Sequence, residues 1–222
     1  MNQSLKVSKD WLKAIDKNLL NKALATVKPL YETKSIMPEY ENIFRTFALC
    51  DYNNLKVVMV SQDPYPQKDV ATGVAFGCKG EPQPSLEILK NTVIDLSIPH
   101  NLITFDNTLE SWCRQGVLML NSSLTVEVGK PLSHTYIWAR FTTELIKNIN
   151  LNKQNLAYIF MGSFASEYAK LVDEKNNLVI KVKHPAYYAR TNEDMPDFFT
   201  EINKYLDSCN IDRIKWYQED KF

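Results

Sequence analysis

A chain of 222 residues with 45% hydrophobic and 23% charged residues fits a single globular domain over 1–222, far from the apolar-poor, highly charged regime of disordered chains. Lys plus Arg and Asp plus Glu balance at 26 each, so no global basic field advertises a nucleic-acid partner, though a local basic rim suffices to grip a few phosphates. The scattered Cys50, Cys78, Cys113 and Cys209 argue against a zinc site or a disulfide framework.

Ser8, Trp11, Leu12, Ile15, Leu19 and Leu20 combine an N-cap with helical spacing. Met1 to Leu20 also lacks the apolar core and small-residue cleavage site of a signal peptide. No apolar run reaches the ~20 residues that cross a bilayer. The expected location is therefore cytoplasmic, or nuclear in a eukaryotic host, with no membrane partner.

Pro38 ahead of Tyr40, Ile43, Phe44 and Phe47 predicts a second helix. The first strand follows at Leu55 to Val60. Pro84-Ser85 caps a helix carrying Leu86, Ile88, Leu89 and Val93, His100 falls in a surface loop, and a short helix from Leu109 to Arg114 stops at Gly116. The remaining strands are Val117 to Leu120, Leu156 to Met161 and Leu178 to Lys183. Helices at Trp138 to Ile149, Phe164 to Val172 and Phe198 to Leu206 separate or follow them.

Strands buried on both faces and joined by helices require parallel pairing. The predicted fold is α/β, a three-layer αβα arrangement whose central four-stranded parallel sheet is flanked by helices. Ligands of such sheets bind at the carboxyl ends of the strands. Those ends read Ser61-Gln62-Asp63, Asn121, Gly162-Ser163 and His184. Each alone has a structural explanation, as an Asx turn, a loop start, a helix start or a pre-proline residue. Four polar ends converging on one edge point to a cleft.

The motifs are more specific than their spacing. Ser61-Gln62-Asp63-Pro64-Tyr65 resembles the water-activating loop of family 1 uracil-DNA glycosylases, which carry Gly, Gln, Asp, Pro, Tyr, His in that register. Thr72-Gly73-Val74-Ala75-Phe76 is similar to the family's base-stacking run, and Pro82-Gln83-Pro84-Ser85-Leu86 to its Pro-rich, Ser-containing loop. Gln115 to Asn121 resembles the uracil-reading strand, Gly162-Ser163 the Gly-Ser loop, and His184-Pro185 the start of the His-Pro loop. Ile214-Lys215-Trp216 is similar to the closing Ile-Asp-Trp. The matches run in order from about Ile36 to Trp216.

This resemblance implies an enzyme that swings a uracil nucleotide out of DNA, hydrolyses its N-glycosidic bond and leaves an abasic site for base excision repair. Asp63 would stabilise the sugar cation and orient water, and a neutral His184 would hydrogen-bond uracil O2. Phe76 would stack on the base, Asn121 read its N3 and O4 edge, Tyr65 exclude the methyl of thymine, and Gln62 add contacts. Ser85 and Ser163 would pin phosphates. Implied partners are uracil-containing single- and double-stranded DNA, with a proteinaceous DNA-mimic inhibitor also open. No cofactor or metal is implied, and a monomer is expected. His134, in Ser133-His134, takes a structural role.

The pattern departs in places. The family's His after the loop Tyr is Pro66 on the DNA-facing rim, as in poxviral members. The loop His-Pro-Ser-Pro-Leu-Ser becomes His184-Pro185-Ala186-Tyr187-Tyr188-Ala189, so two serine contacts are lost and Tyr188 occupies the place of the Leu wedge. Tyr188, helped by Arg190, is the predicted filler of the space left by the flipped base. These departures motivate an alternative, a DNA-binding replication-accessory protein with weak or lost catalysis. Retention of Asp63, Tyr65, Phe76, Asn121 and His184 argues for the enzyme, and Tyr65 with Asn121 disfavours a related glycosylase of altered base choice.

Overall fold

A computed structural model describes residues 7–94 and 103–219; His100 lies outside them. Where the sequence predicts one first helix, the chain forms a 3-10 turn (Lys9–Lys13) and then α1 (Lys17–Val27). Asp16 causes the break. Its carboxylate accepts from the backbone N–H groups of Asn18 and Leu19 at 2.8 and 3.1 Å, satisfying donors that a helix start leaves unpaired. The apolar spacing runs on across the break, so Trp11, Ile15 and Leu20 are all buried.

After the short α2 (Leu30–Thr33) comes β1 (Ile36–Met37). Pro38 follows this strand rather than opening a helix, and the predicted second helix resolves into a 3-10 turn (Tyr40–Asn42) and α3 (Arg45–Leu49). The chain continues through β2 (Val57–Ser61), α4 (Pro84–Val93), β3 (Ile103–Thr104), α5 (Glu110–Arg114) and β4 (Val117–Asn121). Next are β5 (Val126–Glu127), α6 (Thr135–Asn152), β6 (Ala157–Met161) and α7 (Ser163–Ser166). The predicted helix to Val172 ends early, and a 3-10 turn (Ala169–Leu171) supplies the rest. Last come β7 (Leu178–Val182), α8 (Pro185–Thr191), α9 (Phe198–Ser208) and β8 (Gln218–Glu219).

The central sheet is four-stranded and parallel, in the spatial order β4-β2-β6-β7, and helices flank it. Every residue of β2, β4 and β6 is buried. Burial of such Val, Leu and Ile side chains is worth about 1.5–3 kcal/mol each before chain entropy is set against it. Strand β7 differs from the prediction: it is an edge strand, only partly buried, with Lys181 exposed. Two small antiparallel pairs, β1 with β5 and β3 with β8, lie outside this sheet.

Three buried tryptophans fix the layers around the sheet. Trp138 Nε1–H donates to Thr125 Oγ1 at 2.8 Å, Trp112 Nε1–H to the Trp216 carbonyl at 2.8 Å, and Trp11 Nε1–H to the Cys50 carbonyl at 2.9 Å. Each large apolar ring is thereby buried without stranding its polar edge. Among the described residues no helix is long and apolar enough to cross a membrane.

Candidate active site

Because all four central strands run the same way, their carboxyl ends share one edge. The order across it is Asn121 on β4, Ser61 on β2, Gly162 after β6 and His184 after β7. Ser61 and Asn121 are direct register partners.

Asp63 stands two residues beyond β2, and Pro64 bars it from helical backbone geometry, so the chain turns away from the sheet. Its carboxylate is held at both oxygens. The Leu132 backbone N–H donates to Oδ2 at 2.7 Å and Gln62 Nε2 donates to Oδ1 at 3.2 Å. Burial raises its pKa above the ordinary carboxylate value, and these two donors oppose that rise.

His184 caps α8, with Pro185 in the first-turn position that suits proline. The Ala186 backbone N–H donates to His184 Nδ1 at 3.1 Å. An imidazole whose Nδ1 accepts carries its neutral-form proton on Nε2. Burial, reinforced by the Arg190 charge, lowers the His184 pKa to about 4. The ring is therefore neutral at pH 7, with Nε2–H lying 3.5 Å from Ser61 Oγ.

Gly162 explains how a residue beyond edge strand β7 reaches back to β2. Its backbone sits at φ +95°, ψ 163°, a region nearly exclusive to glycine. A Cβ there would stand 3.2 Å from His184 Cβ. The missing side chain is the space over which the imidazole lies.

A cleft of about 430 Å³ opens at this edge. Asp63, His184, Gln62, Tyr65 and Phe76 line it, as do Pro66, Ser85 and Arg190. The Phe76 ring centroid lies 5.5 Å from that of His184, at an interplanar angle of 49°. Tyr65 donates its hydroxyl to the Phe76 carbonyl at 3.3 Å, which fixes its ring beside the cleft.

Asn121 is not among the residues that line the cleft; it is the register partner of Ser61, which does, is 6% exposed, and its buried Oδ1 has no hydrogen-bond partner among the described residues. A buried amide oxygen left unpaired costs about 1–3 kcal/mol. That cost is recovered if a ligand N–H arrives.

Besides Asn121, two predicted residues fall outside the cleft lining. Ser163 is exposed at the start of α7 and does not line the cleft. Tyr188, the expected wedge, is 6% exposed and turned into the core. The cause is local: Pro185 to Thr191 forms a helix, so Pro185 and Tyr188, three apart, share its buried face, whereas Ala186 and Arg190, four apart, face the cleft. His134 is buried with Nδ1 2.8 Å from Thr125 Oγ1, outside the cleft lining.

Sequence reasoning named Ser61 among the strand ends without giving it a role, and passed over Pro131 and the Leu132 N–H. Ser61 carried a signal as a polar residue closing an apolar run, and its observed register with Asn121 puts both side chains on one face. A backbone N–H carries none. A second, apolar groove of about 270 Å³, lined by Leu12, Ile15 and Leu24 among others, gathers no carboxylate or imidazole.

Comparison with known proteins identifies the family. Residues 47–207 match the family model described as the uracil DNA glycosylase superfamily. The chain belongs to the uracil-DNA glycosylase family. It is 36% identical over 189 residues to the uracil-DNA glycosylase of Mycoplasmopsis pulmonis, covering 84% of this chain and 85% of that one. With the uracil-DNA glycosylase of Buchnera aphidicola it shares 41% identity over 157 residues, or 69% and 70% of the two chains. Among solved structures, mimivirus UNG Y322L in complex with UGI superposes with a TM-score of 0.83 at 24% identity, over 96% of this chain and 89% of that one. That likeness concerns the fold.

Proposed function

We propose that the cleft receives an extruded uracil and that Asp63 and His184 together break its N-glycosidic bond. The chain is a DNA-repair hydrolase of the uracil-DNA glycosylase type, as its family membership establishes. The observation that carries the residue assignment is an imidazole whose Nδ1 accepts from the Ala186 N–H, leaving Nε2 to donate, in the same cleft as a half-buried carboxylate.

As the C1′–N1 bond lengthens, its electron pair passes to the base, and the sugar becomes cationic. Asp63 faces the cation and orients water toward C1′; the water oxygen bonds to carbon and its proton passes to the carboxylate. His184 Nε2–H donates to O2 of the departing anion. Donors fixed in a water-poor site act on charge as it develops and need no reorganisation. The abasic sugar remains in the strand, and the base leaves.

Selectivity follows from the same edge. Asn121 offers Oδ1 to the N3–H of uracil and its amide N–H to O4; cytosine reverses both. A site built around such a pattern rejects its mismatch by about 10⁴. Tyr65 stands where a 5-methyl would enter, and Phe76 stacks on the ring. Arg190, Ser85 and Pro66 form the rim over which the strand passes, and Arg190 gives this electrically balanced chain its local phosphate grip. The same rim is where we place a proteinaceous DNA-mimic inhibitor, a reading supported by the UGI complex of the mimivirus relative.

A single-stranded oligonucleotide carrying one uracil, incubated in EDTA and then treated with alkali, tests the assignment. Wild type yields a strand break at the uracil, and Asp63→Asn loses at least about 10²-fold in rate. Wild type that binds the strand without releasing uracil would overturn the reading in favour of a non-catalytic DNA-binding protein.

A further inference from the structure

Ser61 is the last residue of β2 and 2% exposed, yet it lines the cleft. Its backbone carbonyl is committed to the Ser122 N–H at 2.9 Å. Its hydroxyl has one hydrogen-bond partner among the described residues, His184 Nε2 at 3.5 Å. Since His184 Nδ1 accepts from Ala186, Nε2 is a donor, so Ser61 Oγ can only accept from it. The hydroxyl proton is then left without a protein acceptor. A buried O–H in that condition is uncommon and points to a missing acceptor.

The sheet order says where that acceptor belongs. Ser61 stands between Asn121 on one side and the imidazole crossing Gly162 on the other. A pyrimidine whose N3 and O4 meet Asn121 and whose O2 meets His184 lays the O2 end of its edge beside Ser61. Two donors 3.5 Å apart can both reach one carbonyl oxygen at ordinary hydrogen-bond lengths of about 2.8 Å.

We propose that the Ser61 hydroxyl is a second side-chain donor to O2 of the departing base, so that Ser61 and His184 together form the anion-stabilising pair. The inference rests on the glycosylase reading of the cleft. In the free enzyme Ser61 Oγ accepts weakly from Nε2–H. When the base enters, both O–H and N–H turn to O2. The hydroxyl keeps its proton throughout: it lowers the energy of the anion formed when the C1′–N1 pair moves to the base, and no atom is transferred to or from serine.

The test is single-turnover excision by wild type and Ser61→Ala on single-stranded oligonucleotides bearing uracil or 5-fluorouracil. Removing one donor to a developing oxyanion costs on the order of 10²-fold or more where the donor is well aligned, and Ser61 shares its acceptor with His184. A loss of roughly 10- to 100-fold on uracil is expected, with little change in half-saturation. Fluorine withdraws electron density from the ring, so the 5-fluorouracil anion needs less help and the loss on that substrate is smaller.

Ser61→Ala excising uracil within about two-fold of wild type, or losing the same factor on both bases, would overturn the proposal while leaving the glycosylase reading intact. A wild type that leaves uracil in place overturns both.

Discussion

Replacing Gly162 by Ala tests the close approach to His184 on which the proposed catalytic role of that imidazole depends. At φ +95°, ψ 163° an L-residue is strained by about 1–3 kcal/mol. The added Cβ stands 3.2 Å from His184 Cβ and 3.7 Å from Cδ2, where ordinary contact begins at 3.4 Å. The imidazole must therefore retreat by a few tenths of an ångström. Misplacement of a reacting group by about 1 Å costs about 10²-fold, so a fraction of that shift predicts a rate loss of roughly ten-fold. Urea unfolding measures the first effect and single-turnover uracil excision, at a temperature where the variant is folded, measures the second. A variant that loses stability but excises at the wild-type rate would refute the claim that this glycine exists for His184. One that loses neither would refute the strain argument as well.

Three further outcomes are expected. His184 ionises near 4 in the folded chain against an ordinary 6.5, so between pH 6.5 and 4 the unfolded chain binds a proton that the native one does not. Stability then falls as pH drops through that window, by at most about 1.4 kcal/mol per unit. Asp63, whose pKa is raised, acts in the opposite sense just above 3.8, and His184→Gln should abolish the His184 share of the slope in unfolding measured from pH 4 to 7. Arg190→Ala should reduce the salt dependence of single-strand binding by about one phosphate contact and raise the His184 pKa observed by NMR. Tyr188→Ala should destabilise the fold by about 3 kcal/mol or more while leaving the ratio of duplex to single-strand excision unchanged; selective loss on duplex would restore the wedge reading.

Much of the sheet is written in local pattern. Four apolar runs rich in Val, Ile and Leu stand between helical segments, and parallel pairing follows because nothing else joins them without burying unpaired backbone. Strand β2 begins at Val57, two residues into the apolar run that opens at Leu55, and at its start the N–H groups of both Lys56 and Val57 donate to the Gly116 carbonyl. What escaped the sequence was decided by groups without a letter of their own. The break at Asp16 depends on two backbone N–H donors, and the apolar period continues through it. The two-residue strands β1, β3, β5 and β8 are too short for alternation to register. Tyr188 holds the wedge position by count, but a helix begins at Pro185 and its period turns that ring inward. The Leu132 N–H that holds Asp63 could have come from almost any residue at that point.

The electrostatics of the site follow from where the imidazole is buried. A protonated His184 would attract the departing base more strongly, but it would also attract the Asp63 carboxylate, which shares its cleft. That pairing would stabilise the empty enzyme and weaken the carboxylate's hold on a sugar that is cationic only near the transition state. Binding energy spent equally on ground and transition states does not accelerate the chemical step. Burial and the nearby Arg190 keep the ring uncharged, and the Ala186 N–H fixes its proton on the nitrogen that faces Ser61. In the proposed mechanism Asp63 is thus left without a charged imidazole beside it until the sugar becomes cationic, and the Nε2–H meets negative charge as the base departs. Under that mechanism, this strand order, this glycine and this helix cap together reserve both groups for charges that develop only during reaction.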